Sequence, residues 1–208
     1  MDTSLSEVAA AVRPSVVEVR PGDSGGAGVV LLRRNELVVV TNAHVARGTV
    51  GQGVHVLSHS QQVYAARIEL TDPRRDIALL TLRQRPPAGA DLSPARLGDA
   101  MLLRPGQLVL AVGHPFGLAN AVTAGVVHAV GPVRNGMEPV LPHRGLSWVQ
   151  ADITLAPGNS GGPLCDIEGR VIGINTLIMG GPGGAIALSV PAPEIRALLQ
   201  GLGEAISA

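Results

Sequence analysis

Twelve short β-prone segments, separated by turn-forming Gly, Asn, Asp and Pro, are the feature that most constrains this 208-residue chain. The first six are residues 15–20, 28–32, 37–41, 53–57, 63–70 and 77–82. A Pro/Ala/Gly-rich stretch at 85–94 separates them from 107–113, 122–130, 147–151, 162–167, 170–177 and 185–190. Two sets of six strands at close spacing predict an all-β fold of two six-stranded antiparallel β-barrels.

A short helix is predicted at each end of the chain. Ser4 and Glu7 have capping-box spacing, and the apolar residues 5, 8, 9 and 12 then form one helical stripe that ends near Arg13. The apolar residues 195, 198, 199 and 202 form a second stripe. We therefore expect the N-terminal helix and first barrel in residues 1–100, and the second barrel and C-terminal helix in residues 101–208. Together they form one unit.

Composition excludes several classes of function. Sixteen Lys plus Arg balance 16 Asp plus Glu, which argues against nucleic acid or an anionic membrane as the main partner. The single cysteine, Cys165, is expected to be buried and cannot form an internal disulfide. No metal-ligand cluster is evident, so we expect no metal and no cofactor.

The N-terminus gives a conditional prediction of location. No apolar stretch approaches the roughly 20 residues that span a bilayer. Residues 1–12 lack the basic region and long apolar run of a secretory signal. The expected location is cytoplasmic if Met1 is the native start, and extracytoplasmic or periplasmic if a leader has been removed.

Ser160 lies between glycines in Gly158-Asn159-Ser160-Gly161-Gly162. Such a stretch could be a tight hairpin turn, since these residues favour turns. However, the flanking glycines also leave main-chain N–H groups able to face a substrate oxygen. A serine needs a base and an orienting group to become a nucleophile. His44 and Asp76 each adjoin an apolar strand, and the chain order His, Asp, Ser is a known order of the catalytic triad.

Two other serine patterns are rejected. The G-x-S-x-G elbow of α/β-hydrolases requires a histidine after the serine, but all six histidines precede Ser160. Ser24, in Gly22-Asp23-Ser24-Gly25-Gly26, precedes every histidine and is interpreted as part of a polar turn. The histidines at 55, 59, 114, 128 and 143 are expected to be solvated or satisfied in the core. The carboxylates at 72, 91 and 99 are interpreted as turn residues.

The predicted roles follow the triad template. Ser160 attacks a carbonyl carbon, His44 accepts and returns the proton, and Asp76 fixes the histidine tautomer. The oxyanion would be held in the loop formed by Gly158, Asn159 and Ser160, by the N–H groups of Gly158 and Ser160. Because His44 and Asp76 belong to the first half of the chain and Ser160 to the second, the site is expected in the cleft between the halves.

Several segments of the chain resemble those of a trypsin-like serine protease. The resemblance is greatest to the protease domain of the HtrA (Deg) family, taken without the PDZ domain that usually follows it. The matching residues are 41–45, 76–80, 113–118, 149–152, 157–164, 172–176 and 189–191. The resemblance implies a chymotrypsin-like double barrel, ATP-independent endopeptidase activity in protein quality control, unfolded or misfolded proteins as substrates, and often a homotrimer. Three features depart from the family: no PDZ domain follows, the N-terminal aromatic residues of the trimer contact are absent, and Ala156 replaces an Asn.

The resemblance also suggests a substrate pocket. Trypsin carries a carboxylate six residues before the serine, whereas this chain has Thr154, followed by Leu155. Ile186 is expected in the far wall, and backbone groups of residues 175–177 (Asn175, Thr176 and Leu177) are expected to pair with the substrate strand. This composition predicts a preference for small to medium aliphatic side chains, or else a shallow pocket with little selectivity. A protease fold acting as a chaperone or peptide-binding module, and an esterase, remain alternatives.

Overall fold

A computed structural model describes residues 4–22, 25–114, 121–133, 146–181 and 184–201. Its strands form two closed antiparallel barrels, which confirms the predicted fold class. The first barrel contains β1 (Val16–Arg20), β2 (Gly26–Arg33), β3 (Glu36–Thr41), β4 (Gly53–Leu57), β5 (Val63–Asp72) and β6 (Ile77–Leu82). The second contains β7 (Leu108–Gly113), β8 (Ala121–Pro132), β9 (Ser147–Asp152), β10 (Pro163–Asp166), β11 (Val171–Gly181) and β12 (Gly184–Pro191).

The two barrels have the same strand order. The first closes as β1-β2-β3-β6-β5-β4. Written from its own first strand, the second closes as β7-β8-β9-β12-β11-β10, which is the same order. Every predicted strand is present, with ends that differ by a few residues. The largest difference is in β11, which continues past the predicted end at residue 177 to Gly181.

Both predicted helices are present in the described residues. In α1 (Leu5–Val12) the Ser4 hydroxyl accepts the Glu7 N–H at 3.3 Å, and the Glu7 carboxylate accepts the Ser4 N–H at 2.7 Å. This reciprocal pair is the expected capping box. A four-residue helix that the sequence did not predict, α2 (Ala43–Ala46), follows β3 directly, and α3 (Ala192–Gly201) follows β12. No helix within the described ranges is long and apolar enough to cross a membrane.

The core is divided between the barrel interiors and the seam that joins the barrels. In β6, Ala78 and Leu80 fill the first barrel, whereas Ile77 and Leu79 face the opposite way. The outward pair packs in one apolar cluster with second-barrel residues such as Leu110. Because successive side chains of a strand face opposite sides, a strand buried on both faces must be apolar throughout. This packing fixes the barrels against each other at the seam where His44, Asp76 and Ser160 lie.

Cys165 lies in the same cluster and is fully buried, as the sequence predicted. Burial among apolar side chains raises the pKa of its thiol, because a thiolate would lose its hydration there. The side chain therefore acts as a small apolar core residue.

Asp91 anchors the connection between the two barrels. Its carboxylate accepts hydrogen bonds from the hydroxyls of Ser58 and Ser60, and from Tyr64 Oη at 2.9 Å. Partial burial by itself would raise the pKa of this carboxyl, but the three hydroxyl donors outweigh it and lower the pKa to about 2. The sequence indicated only that Asp91 lies in a turn. In the structure, Asp91 attaches the connecting segment to the β4–β5 hairpin.

We expect Asp91→Asn to lower the free energy of unfolding at pH 7 by about 1–3 kcal/mol, because the hydroxyls lose a charged acceptor. The folded-state pKa of about 2 lies below the reference value of 3.8 for the unfolded chain. The carboxylate therefore stabilises the fold fully above about pH 4, and this contribution is lost as the pH falls through about 2. Urea unfolding at several pH values should show the difference between wild type and variant shrinking over that window. A difference that stays constant would contradict this role.

Candidate active site

Asp76 holds His44 through two hydrogen bonds. Asp76 lies in the turn between β5 and β6 with a left-handed backbone (φ 52°), and its carboxylate is buried. One carboxylate oxygen is 2.6 Å from His44 Nδ1, and the other accepts the His44 main-chain N–H at 2.9 Å. This arrangement orients both the imidazole ring and the start of α2. The hydrogen-bond network assigns the proton to Nδ1, which leaves Nε2 as the basic nitrogen.

The turn that carries Asp76 is itself stabilised by charged groups. The carboxylate of Asp72 accepts the main-chain N–H groups of Arg74 at 2.9 Å and Arg75 at 3.1 Å. The Arg75 guanidinium then bridges Asp72 at 2.7 Å and Glu194 of α3 at 2.8 Å. Asp72 is the last residue of β5 rather than a turn residue, and its side chain stabilises the turn that follows. This turn links the candidate triad to the C-terminal helix.

Ser160 lies in a segment attached to both barrels. Its carbonyl accepts the Ala27 N–H of the first barrel at 2.8 Å, and the Gly161 N–H donates to the Asn175 carbonyl of the second at 2.8 Å. Gly161 has φ 85°, and a Cβ at this position would collide with the Ala27 carbonyl and the Thr41 hydroxyl. A glycine is required here for both reasons.

Ser160 and His44 line the same cleft, but the serine hydroxyl has a different partner. Ser160 Oγ donates to the Thr176 carbonyl at 3.3 Å, a long hydrogen bond. Catalytic hydrogen bonds are often long or misaligned without substrate, so this geometry is compatible with the triad. Rotation about the Cα–Cβ bond of Ser160 is the simplest movement that would direct the hydroxyl to His44 Nε2.

A buried polar chain links the candidate residues across the seam. The Asn42 amide donates to the Asp76 carbonyl at 2.9 Å and to Thr176 Oγ1 at 3.1 Å. The Thr176 carbonyl in turn accepts from Ser160. Thr176 has this orientation because the β11–β12 register shifts between Asn175 and Leu177, and the bulge leaves Thr176 off the ladder. Sequence analysis gave Asn42 no role, although a fully buried Asn beside His44 needs hydrogen-bond partners.

A tight turn precedes the serine. The Asn159 N–H donates to the Ala156 carbonyl at 2.9 Å, and Gly158 has φ 103°. Pro157 fixes a negative φ at the preceding position, so the turn is type II. The main-chain N–H of His114 donates to the Gly158 carbonyl at 3.2 Å and supports this orientation. Within the described ranges, the N–H groups of Gly158 and Ser160 donate to no acceptor, whereas that of Asn159 is used by the turn.

The cleft has a volume of about 340 Å³ and receives residues from both barrels. Three of the six residues predicted to bind substrate line it: Leu155, Thr176 and Leu177. Thr154 is exposed outside the cleft, and Ile186 packs against the core. These two residues therefore do not form the predicted walls. Sequence analysis also missed the first-barrel wall, which consists of Gly25, Val45 and Arg47.

Asn175 does not offer its backbone to a substrate. Its N–H donates to the Gly162 carbonyl at 2.9 Å, and its carbonyl accepts from Gly161. Its amide donates to the Pro163 carbonyl and accepts from the Ser189 hydroxyl. Asn175 therefore supports the glycines that follow Ser160, and pairing with a substrate strand is left to Thr176 and Leu177.

The other histidines occupy different environments. His55 and His128 are exposed, and His59 Nδ1 lies 3.1 Å from the Asp91 carbonyl. His114 is 3% exposed, and neither ring nitrogen has a partner in the described part of the chain. His114 is therefore a core residue, as one of the two expectations had it, and its hydrogen bonding stays untested. Burial lowers its pKa and favours the neutral ring. Ser24 and His143 lie outside the described residues.

Comparison with known proteins identifies the family of this chain. The family model described as "Trypsin-like peptidase domain" matches residues 26–174. A "Probable periplasmic serine endoprotease DegP-like" from Marinomonas sp. (strain MWYL1) is 38% identical over 156 residues, which are 75% of this chain and 30% of that protein. "Serine protease HTRA4" from Mus musculus is 34% identical over 208 aligned positions, covering 94% of this chain and 40% of that protein.

Solved structures show the same similarity. The structure titled "HtrA-type protease AlgW with tripeptide" has a TM-score of 0.79 and 28% identity, covering 97% of this chain and 65% of that one. "HtrA-type protease AlgW with decapeptide" has a TM-score of 0.76 and 26% identity, covering 94% and 67% respectively. The present chain thus spans less than half the length of the two curated relatives. With its double barrel and a family match over most of its length, the chain belongs to the trypsin-like peptidase family and is similar to HtrA proteases.

Proposed function

We propose that this chain is a serine endopeptidase with the triad His44, Asp76 and Ser160. The main support for the proposal is that the Asp76 carboxylate makes two hydrogen bonds to His44, one to the ring and one to the main-chain N–H. His44 lines a cleft that Ser160 also lines. An imidazole oriented in this way has one nitrogen bound to a carboxylate and the other available as a base. Esterase activity would use the same residues, so hydrolysis of a protein is the decisive property.

The proposed mechanism assigns one role to each of these groups. Ser160 Oγ forms a bond to the substrate carbonyl carbon while its proton passes to His44 Nε2. The resulting oxyanion accepts hydrogen bonds from the Gly158 and Ser160 N–H groups. When the C–N bond breaks, His44 gives its proton to the leaving amine and an acyl-enzyme remains. Water then attacks this ester, with His44 again acting as base, and releases the acid and the free serine.

We propose unfolded or misfolded proteins as substrates and protein quality control as the role. The cleft is bordered by Thr176 and Leu177 at the bulge in β11, which could pair with an extended segment. A folded protein rarely offers such a segment. The names of the relatives, which include a periplasmic DegP-like endoprotease, favour an extracytoplasmic location. Binding of unfolded chains without cleavage is the competing chaperone function.

Ser160→Ala is expected to reduce hydrolysis of denatured casein by about 10⁶-fold while the protein stays folded, because the nucleophile is removed. A fluorophosphonate probe followed by mass spectrometry should label Ser160 in the wild type. Ser24→Ala is the control and should retain both activity and labelling. Labelling at Ser24 instead would overturn the assignment of the nucleophile. Binding of casein with no cleavage by the wild type would favour the chaperone function.

Gly158→Ala tests the oxyanion site. Alanine disfavours a positive φ, so the turn should change toward type I, in which the central peptide and its Gly158 N–H face the opposite way. We expect kcat to fall about 10²–10³-fold with a smaller change in KM.

A matched control for Gly158 lies in the connection between the barrels. The Ala90 N–H donates to the Pro87 carbonyl at 3.0 Å and Gly89 has φ 82°, which makes the same turn type far from the cleft. Gly89→Ala should cost similar local stability, measured by urea unfolding, without loss of kcat. Equal loss of activity in the two variants would contradict an oxyanion role for Gly158.

The residue before the cut bond is expected to be Ala, Val, Ile or Leu. Leu155, Ala156 and Ile178 line the pocket, and none of the described lining residues is an acid. A Lys or Arg of the substrate would lose hydration there without a partner, which costs several kcal/mol. Sequencing of the peptides released from denatured casein gives the cleavage map. A map dominated by Lys and Arg would show this interpretation to be wrong, and an even map would indicate a shallow pocket.

A further inference from the structure

The turn that carries Asp76 has a conformation that needs support. Residues 73–76 form this turn between β5 and β6, next to the paired residues Asp72 and Ile77. Asp76 is its last residue and has φ 52°. A left-handed backbone is disfavoured for a residue with a Cβ, so it persists only where neighbouring groups hold it. Because the carboxylate that contacts His44 belongs to this residue, a change in the turn would move the carboxylate away from the histidine.

Several hydrogen bonds within the first half of the chain support the turn. The Asp72 carboxylate accepts the main-chain N–H groups of Arg74 and Arg75. Arg75 Nη1 donates to the same carboxylate at 2.7 Å, so one side chain closes the turn. The Asn42 amide donates to the Asp76 carbonyl at 2.9 Å. These contacts hold the shape of the turn, but none of them fixes it relative to the second barrel.

A second contact of Arg75 reaches the other half of the chain. Its Nε donates to the Glu194 carboxylate of α3 at 2.8 Å, and α3 packs against β11 and β12. The carboxylate side chains of Asp72 and Glu194 are 16% and 26% exposed, so solvent screens these ion pairs less than it screens fully exposed ones. Glu194, followed by Asp72, raises the pKa of the Arg75 guanidinium. Arg75 therefore joins the turn of Asp76 to the barrel that carries Ser160.

We infer that Arg75 is a positioning residue for the candidate triad, an inference that rests on the proposed endopeptidase function. Its contact with Asp72 stabilises the turn, and its contact with Glu194 fixes the turn against the second barrel. The Asp76 carboxylate is then held where it orients the His44 ring for the serine. Arg75 is not among the described residues that line the cleft, so its removal should change kcat more than KM.

The main test is Glu194→Gln, which removes the second-barrel contact and leaves Asp72 and its turn intact. For a quenched peptide cleaved after Val, we expect kcat to fall about tenfold with KM nearly unchanged, because a displacement of about 1 Å in a catalytic group can cost 10²-fold. Arg75→Gln removes both contacts and should lower kcat about 30- to 100-fold, near that limit. The double variant should match Arg75→Gln, because Glu194 acts through Arg75.

A second readout separates positioning from substrate binding. Labelling of Ser160 by a small fluorophosphonate needs the base but no bound peptide. Its rate should therefore fall by about the same factor as kcat in each variant. Urea unfolding shows which variants are fully folded under the assay conditions, and the rates are compared for those.

A matched control lies in the turn between β10 and β11. Asp166 there accepts the main-chain N–H groups of Glu168 at 3.0 Å and Arg170 at 2.9 Å, and the Arg170 guanidinium bridges both carboxylates. These contacts repeat those of Asp72 and Arg75, and none of the three residues is among the described lining of the cleft. Arg170→Gln should cost some stability in urea unfolding and keep the wild-type kcat and labelling rate.

The outcomes distinguish this inference from the proposed function. An unchanged kcat and labelling rate in Glu194→Gln would overturn the positioning role and leave the proposed function standing. An equal loss of kcat in Arg170→Gln, or an increase in KM with kcat unchanged in Arg75→Gln, would overturn it as well. Failure of the wild type to cleave any peptide would overturn the proposed function, and the role of Arg75 with it.

Discussion

The close backbone contact between the two barrels at Gly161 is the constraint on which the site depends. Ala27 of the first barrel donates to the Ser160 carbonyl, and its own carbonyl accepts the Thr41 hydroxyl at 2.7 Å. There is no space for a Cβ at Gly161 between them. Because His44 and Asp76 belong to one barrel and Ser160 to the other, this contact holds the proposed base and nucleophile at one seam. The apolar cluster at the seam makes it rigid.

Buried polar groups then set orientation within that frame. Asp76, Asn42 and Thr176 form a chain of hydrogen bonds from the first barrel to the strand beside Ser160. Such groups are costly to bury unless paired, so their geometry is well determined. Two buried groups near the site have no partner among the described residues, namely Asn42 Oδ1 and the ring of His114, whose main-chain N–H supports the Gly158 turn.

The two barrels contribute different groups to the proposed active site. The second barrel supplies an apolar pocket and main-chain donors, which suit the acyl half of any extended chain. The first barrel supplies the proposed base, His44, and the facing wall of the cleft. Recognition of the backbone would make the enzyme broadly active on unfolded chains.

The sequence by itself predicted the strands and the helices at both ends, which the structure confirms, and it singled out His44, Asp76 and Ser160, whose catalytic roles stay a prediction. These features depend on local patterns: apolar runs between turn residues, capping-box spacing, and the order of the three polar residues. The tertiary structure decided which residues face the cleft. The bulge at Thr176 changes the side on which its neighbours lie, so Asn175 is directed into the core and Leu177 into the cleft. The sequence pattern does not predict that Arg47 lines the cleft. Its position there depends on a four-residue helix and on a wall completed by a segment distant in the sequence.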